Sequence, residues 1–181
     1  MRKLLLLFFF SSILAQAANR PAAPAHGSLG YPKEGDFGVG AMVGTIGAVD
    51  AKYFFTREVA ADVGLEFFDH PFEVMFADVI YHFQGVFGHD TKWGRESSLY
   101  FGGGVGIGFW DRSDTCGRWH CEWNRNTTGT GTGMFLRGLG GVEWYPLHTR
   151  FGVFGEIAPS FTMYPHSGHT FDAAVGGRYY F

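Results

Sequence analysis

The sequence predicts an all-β chain, an eight-stranded antiparallel up-and-down transmembrane β-barrel that follows an export signal. Three observations predict it. Period-two alternation recurs in eight segments of about ten residues, the length of a tilted strand crossing a hydrocarbon layer. One face of these segments is apolar throughout, while the other collects nearly all of the strand charges. Beyond the first residues, no apolar run reaches the roughly 18 to 20 residues of a membrane helix, so any spanning is left to strands.

Composition narrows the class further. The chain has 181 residues, with 28 Gly, 20 Phe, 8 Tyr and 5 Trp, and 17% charged residues. Soluble domains carry about 25% charge, and the aromatic content argues against disorder, collagen-like repeats and a coiled coil. A formal net charge of −3 without any Lys/Arg cluster leaves no electrostatic footprint for nucleic acid. No pattern indicates a nucleotide, haem or metal cofactor.

Taken in order, Met1-Arg2-Lys3, the apolar run Leu4 to Phe10 and Ala15-Gln16-Ala17 form a secretory signal peptide, residues 1–17. Residues 18–35, with Pro21, Pro24 and Pro32, read as a flexible Pro/Ala/Gly-rich leader. Residues 36–181 are the barrel. Its strands are expected at 36–46, 48–56, 58–68, 72–84, 98–109, 133–145, 150–163 and 170–181. An even number brings both ends of the sheet to one side. The apolar face runs from Phe37, Val39, Ala41 and Val43 through Val63, Val79, Phe101 and Ile157 to Val175, Tyr179 and Phe181. The opposite face holds Asp50, Lys52, Glu58, Asp62, Glu66, Asp78, His82, Arg137, Glu143, Arg150, Glu156, Asp172 and Arg178, with Gly between them.

Two closed barrels produce such alternation. A lipocalin-like barrel buries the apolar face and needs a well-charged exterior. A membrane barrel turns the apolar face to lipid, where Arg or Lys costs about 2 to 4 kcal/mol at the midplane, so charges go inside. A Gly-rich, sparsely charged face opposite a continuous Phe-rich one fits the second. Aromatics add a check. Phe37, Tyr53, Phe55, Tyr81, Phe83, Phe101, Trp144, Phe151, Tyr179 and Phe181 collect near the periplasmic rim, and Phe67, Phe109, Phe161 and Phe171 near the outer one.

The ending Asp172-Ala173-Ala174-Val175-Gly176-Gly177-Arg178-Tyr179-Tyr180-Phe181 resembles the C-terminal strand of bacterial outer-membrane barrels. Residues 36–181 as a whole resemble the small eight-stranded OmpA-like and OmpX-like class. The resemblance implies a Gram-negative outer-membrane location, contact with outer-membrane lipid, and a barrel-insertion machinery that reads Val175, Tyr179 and Phe181. One departure is Gly85 to Ser97, a long stretch on the periplasmic side, where turns are usually short. Either that turn is long or a strand boundary is misplaced.

Candidate chemistry is sparse. Cys116 and Cys121, in an extracellular loop from Trp110 to Thr132, read as a disulfide staple, because exported chains meet an oxidising compartment. A metal site with His120 is the alternative, although it lacks the fourth ligand and paired spacing of zinc sites. Asn126-Thr127-Thr128 is a weak sequon match. Arg112, Arg118, Trp119, Trp123 and Arg125 make the same loop a candidate partner surface, or a solvated loop with aromatics on lipid headgroups. His166-Ser167-Gly168-His169, expected in the last outer loop with Asp172 nearby, is the place for a lipid-modifying hydrolase or acyltransferase, or for ordinary turn residues.

Inside the barrel, turn centres at Arg57 and His70 place Lys52 opposite Asp62, and Asp62 opposite Asp78. Lys52, Arg137 and Arg178 are then the expected partners of Asp62, Asp78 and Glu156 in a polar network. An eight-stranded barrel is just narrow enough for side chains to fill, which favours this structural reading over an ion path. The leading expectation is a non-enzymatic outer-membrane barrel with a structural or surface-interaction role. The alternatives are a lipid-modifying enzyme and a small pore or carrier.

Overall fold

The computed structural model describes residues 31–67, 72–88, 90–110, 131–146, 149–164 and 167–181. Eight strands close into one barrel in the order β1-β2-β3-β4-β5-β6-β7-β8, every neighbouring pair antiparallel and β8 returning to β1. They are β1 Phe37–Gly44, β2 Gly47–Phe54, β3 Val59–Glu66, β4 Phe72–Gln84, β5 Ser97–Trp110, β6 Gly131–Trp144, β7 Phe151–Tyr164 and β8 Gly168–Tyr180. A single helical turn, α1 Lys92–Glu96, lies between β4 and β5. Among the described residues no helix is long and apolar enough to cross a membrane.

The side chains sort by strict alternation, since a strand turns successive residues to opposite faces. Val63, Met75, Val79, Phe101, Ile157, Phe171 and Val175 stand exposed on the outer wall. Asp50, Lys52, Asp62, Asp78, His82, Arg137, Glu143, Glu156 and Arg178 are buried inside. The apolar face is therefore outside and the charged face inside, the reverse of a lipocalin-like barrel. Glu58 and Arg150 are exceptions among the charges expected inside. Both are exposed in connections at the rim, where Glu58 bonds the hydroxyl of Thr56.

Several boundaries differ from expectation. Phe109↔Thr132 and Trp110↔Gly131 are paired, so the strands claim residues assigned to the Trp110 to Thr132 loop. β8 begins at Gly168, so Gly168 and His169 pair with Thr162 and Phe161 and are not part of a loop. In both cases cross-strand pairing extends past the point where turn residues suggested a stop. The stretch from Gly85 is a long connection closed by α1; β4 ends at Gln84 as expected, and β5 begins at Ser97, one residue early.

Two irregularities mark β7. Opposite β6 the pairing slips between Met134↔Tyr164 and Phe135↔Thr162, so Met163 is an extra residue and both Met163 and Tyr164 face outward. The ladder also skips from Arg137↔Ser160 to Gly140↔Ile157. Pro159 sits in that gap, where it has no N–H to give.

The interior is narrow, and glycines make it fillable. A Cβ on Gly64, Gly106 or Gly176 would run into the ring of Phe76, Phe135 or Phe154 respectively, each on the neighbouring strand. Inward aromatics thus lie over cross-strand glycines. Near the rim that carries the ends of β1 and β8, Phe54, Ala60, Tyr145 and Tyr180 pack together with Tyr31 against them. Met42, Ile46, Ala48, Phe76, Phe154 and Ala174 fill the other half.

Candidate functional site

The strongest concentration of chemistry among the described residues is the ionic core of the barrel, which is organised around three cations. Arg178 enters from β8 between Gly40 of β1 and Gly152 of β7, its cross-strand partners. The absence of side chains there gives the guanidinium room to cross the lumen. Its Nε donates to Asp50 of β2, its Nη2 to Asp62 Oδ2 of β3 at 2.8 Å, and its Nη1 lies 3.3 Å from Glu143 Oε2 of β6. One planar fork thereby ties four strands together.

Arg137, from β6, does the same at a second level. It pairs with Glu156 of β7, with Asp78 Oδ2 of β4 at 3.2 Å, and with Glu66 Oε1 of β3 at 3.9 Å. Lys52 of β2 meets Glu143 Oε2 at 2.9 Å. Each cation also faces an aromatic ring: Arg178 over Phe154 at 4.0 Å, Arg137 over Phe76 at 4.2 Å and Lys52 over Tyr100 at 4.8 Å. The ring faces add favourable electrostatics where water is excluded.

The structure brings Lys52, Asp62, Asp78, Arg137, Glu156 and Arg178 into this core, with the divisions Arg178–Asp62 and Arg137–Asp78–Glu156. Lys52 stands opposite Asp62 and Asp62 opposite Asp78 in register. The ion pair of Lys52 nevertheless runs across the lumen to Glu143. Asp50, Glu66, Glu143, Tyr100 and Tyr180 complete the network and are not among the partners expected from sequence. Asp50, Glu66 and Glu143 share the charged face, but their partners lie on strands distant along the chain. Tyr180 donates to Glu143 Oε1 at 2.5 Å and Tyr100 to Glu156 Oε2 at 3.0 Å.

One arrangement resembles a nucleophilic site. His82 Nδ1 is 3.0 Å from Ser98 Oγ, and His82 Nε2 is 3.3 Å from Lys52 Nζ. A nucleophilic serine needs the imidazole to accept its proton, with an acid orienting the far nitrogen. Here the far nitrogen meets an ammonium, which can only donate. Nε2 must accept, so the neutral ring carries its hydrogen on Nδ1 and gives it to Ser98. On that assignment the Ser98 hydroxyl accepts a hydrogen bond from the ring, the opposite polarity to a serine whose proton an imidazole takes.

The outer-rim candidates separate. His169 is exposed on the outer wall, whereas Asp172, three residues on, is buried inside with Oδ1 3.2 Å from Thr45 Oγ1. An acid and an imidazole on opposite faces of β8 cannot orient one another. Ser167 is exposed, and His166 lies outside the described residues, as do Cys116, His120 and Cys121 with the loop around them. Val175, Tyr179 and Phe181 are exposed on the outer wall, and Phe181 N donates to Phe37 O at 2.8 Å.

At the rim of the chain ends, the outward aromatics join in pairs: Tyr53–Phe55 at 5.2 Å, Tyr81–Phe83 at 4.8 Å, Phe83–Phe101 at 6.0 Å and Tyr179–Phe181 at 5.1 Å. A closed eight-stranded barrel with an apolar, aromatic-edged exterior and an ionic interior invites comparison with solved barrels. It is similar to the N-terminal β-barrel domain of Pseudomonas aeruginosa OprF, with a TM-score of 0.61 and 14% identity over 83% of this chain and 100% of that one. Its fold is that of a small outer-membrane barrel. It is also similar to Neisserial surface protein A, NspA, with a TM-score of 0.50 and 13% identity over 81% of this chain and 94% of that one. No family model matches the sequence, and no curated protein does.

Proposed function

We propose that the chain is an integral bacterial outer-membrane β-barrel with a structural or surface-interaction role, exported by a signal peptide over residues 1–17. The observation that carries this reading is the inversion of the barrel, with large apolar side chains exposed all around the wall and the ionisable ones paired inside. In water such a wall would be an aggregation surface, whereas in a bilayer it is the required exterior. The solved barrels it resembles are outer-membrane proteins, which supports the location.

The interior supports a non-enzymatic role. Its lumen is occupied by ion pairs and aromatic rings, and the buried Ser98–His82 contact has the wrong polarity for a nucleophile. Interaction is then left to the connections. The loop bearing Cys116 and Cys121 is proposed to be disulfide-stapled and to meet an extracellular partner. The exposed side chains of Val175, Tyr179 and Phe181 fit recognition by the barrel-insertion machinery.

The test is refolding into detergent or lipid, with gel mobility compared before and after boiling and with far-UV circular dichroism. A heat-modifiable band with β-dominated spectra, together with recovery in the outer-membrane fraction, is expected. Solubility in plain buffer without a mobility shift overturns the reading.

A further inference from the structure

The connection from Gly85 to Glu96 is several times longer than a hairpin needs, and its described residues, 85–88 and 90–96, are built rather than slack. Gly85 and Gly88 take positive φ values of 76° and 81°, conformations that favour glycine, and Gly88 N bonds Gly85 O at 3.1 Å. Thr91 caps α1, its Oγ1 accepting from Gly94 N at 3.0 Å. Gly94 leaves no space for a Cβ, which would press on the carbonyls of Phe87 and Gly88.

Three neighbours hold the unit against the barrel. Tyr145 N donates to Glu96 O at 2.7 Å, Trp144 Nε1 donates to Glu96 Oε2 at 2.9 Å, and Tyr31 OH donates to Ser97 O at 2.8 Å. Against this base, Trp93 packs on Phe87 with ring centroids 4.6 Å apart and planes tilted by 55°, and it remains 50% exposed, while Val86 is 54% exposed. Lys92, whose Nζ lies 3.9 Å from Glu96 Oε1, still has 73% of its side chain in the open. A fold that spends two special glycines, a cap and three tethers to present an indole outward is holding it for something.

We propose that this connection is an interfacial foot, which seats Val86 and Trp93 at the headgroup level of the phospholipid layer on the side of the chain ends, with Lys92 toward the phosphates. The proposal rests on the membrane reading above. Continuity selects the occupant: the connection leaves β4 just after the outward Tyr81 and Phe83 and returns to β5 just before the outward Leu99 and Phe101. Its tether Trp144 is itself partly exposed on the outer wall. The foot therefore extends the aromatic rim beyond the strand ends. Trp is the residue suited to that depth, with an apolar body and a polar N–H, and a lysine stem beside it can reach the phosphates.

The test places a nitroxide at position 79, 86, 90 or 93 in separate Cys variants of the full mature chain. Cys116 and Cys121 are replaced by Ser, and the protein is refolded into phosphatidylethanolamine/phosphatidylglycerol vesicles. Collision with oxygen is compared with collision with a water-soluble paramagnet. Val79→Cys, on the outer wall, is expected in the acyl region and Asp90→Cys in water. Val86→Cys and Trp93→Cys are expected between them, both shifted toward oxygen relative to position 90. Equal aqueous collision at 86, 93 and 90, with 79 still in lipid, overturns the foot and leaves the membrane reading standing. An aqueous signal at 79 as well overturns both. Shielding of 86 and 93 from both reagents, with spin–spin broadening, assigns the surface to a second copy of the chain and also overturns the foot.

Discussion

At the scale of single residues, Arg178 joins acids from three other strands. Fully buried, it makes ion-pair contacts with Asp50, Asp62 and Glu143 at once. Removing one partner of a buried ion pair strands the other, at a cost of about 3–5 kcal/mol. Arg178→Ala strands Asp50 and Asp62 and leaves Glu143 to Lys52 and Tyr180, and it is expected to lose at least that much. Urea unfolding of the protein refolded in lipid vesicles, followed by gel mobility, measures it. Arg178→Lys keeps the charge but cannot reach three acids with a planar fork, so its midpoint should fall between those of the wild type and Arg178→Ala. Alternation along the last strand is enough to assign Arg178 to the interior. It does not reveal the choice of partner. Lys52 faces Asp62 across adjacent strands, yet its ion pair is with Glu143, whose strand is brought near only when the sheet closes.

At the scale of strands and turns, the interior glycines and aromatics act as matched pairs. Gly64 lies under the Phe76 ring, so Gly64→Ala introduces a methyl into filled space and is expected to destabilise by about 1–3 kcal/mol, as overpacking does. Phe76→Leu in the same chain should recover part of that loss in a double-mutant cycle, because the clash is with the ring itself. A substitution at Gly155, whose added Cβ would meet only Val175 at 3.9 Å, should cost far less and serves as the control. The break at Pro159 makes a separate prediction. Pro159→Ala supplies the missing N–H, and hydrogen exchange at Gly138 and Leu139 should slow if the ladder closes. Unchanged exchange would mean that the bend of β7, rather than the absent donor, opens the gap. The strands are legible from alternation to within a few residues. The Met163 bulge, the gap at Pro159 and α1 are not, because each depends on how one strand meets its neighbour.

At the scale of the whole molecule, both ends of the lumen are filled. Phe54, Tyr145, Tyr180 and Tyr31 lie across one half, while Phe76 and Phe154 stand with Met42 and Ile46 in the other. A filled eight-stranded barrel leaves side chains where an aqueous channel would run. Planar bilayers containing the refolded wild type are therefore expected to show no steady conductance. Asp62→Asn and Asp78→Asn should leave that silence intact, whereas sustained current that responds to either change would favour a pore.

Alternation within each strand and the even number of segments settled the architecture of this chain and which face carries charge, because a strand exposes its residues with a fixed period of two. The same charges also made the interior legible, since a membrane wall excludes them. Closure of the sheet decided everything that depends on distance across the lumen: Arg178 as the hub of four strands, Lys52 paired with Glu143, and His82 set between Lys52 and Ser98. It also put His169 and Asp172 on opposite sides of one wall. Sequence orders residues along a strand, but only the closed barrel brings β2, β3, β6 and β8 within a guanidinium's reach of one another.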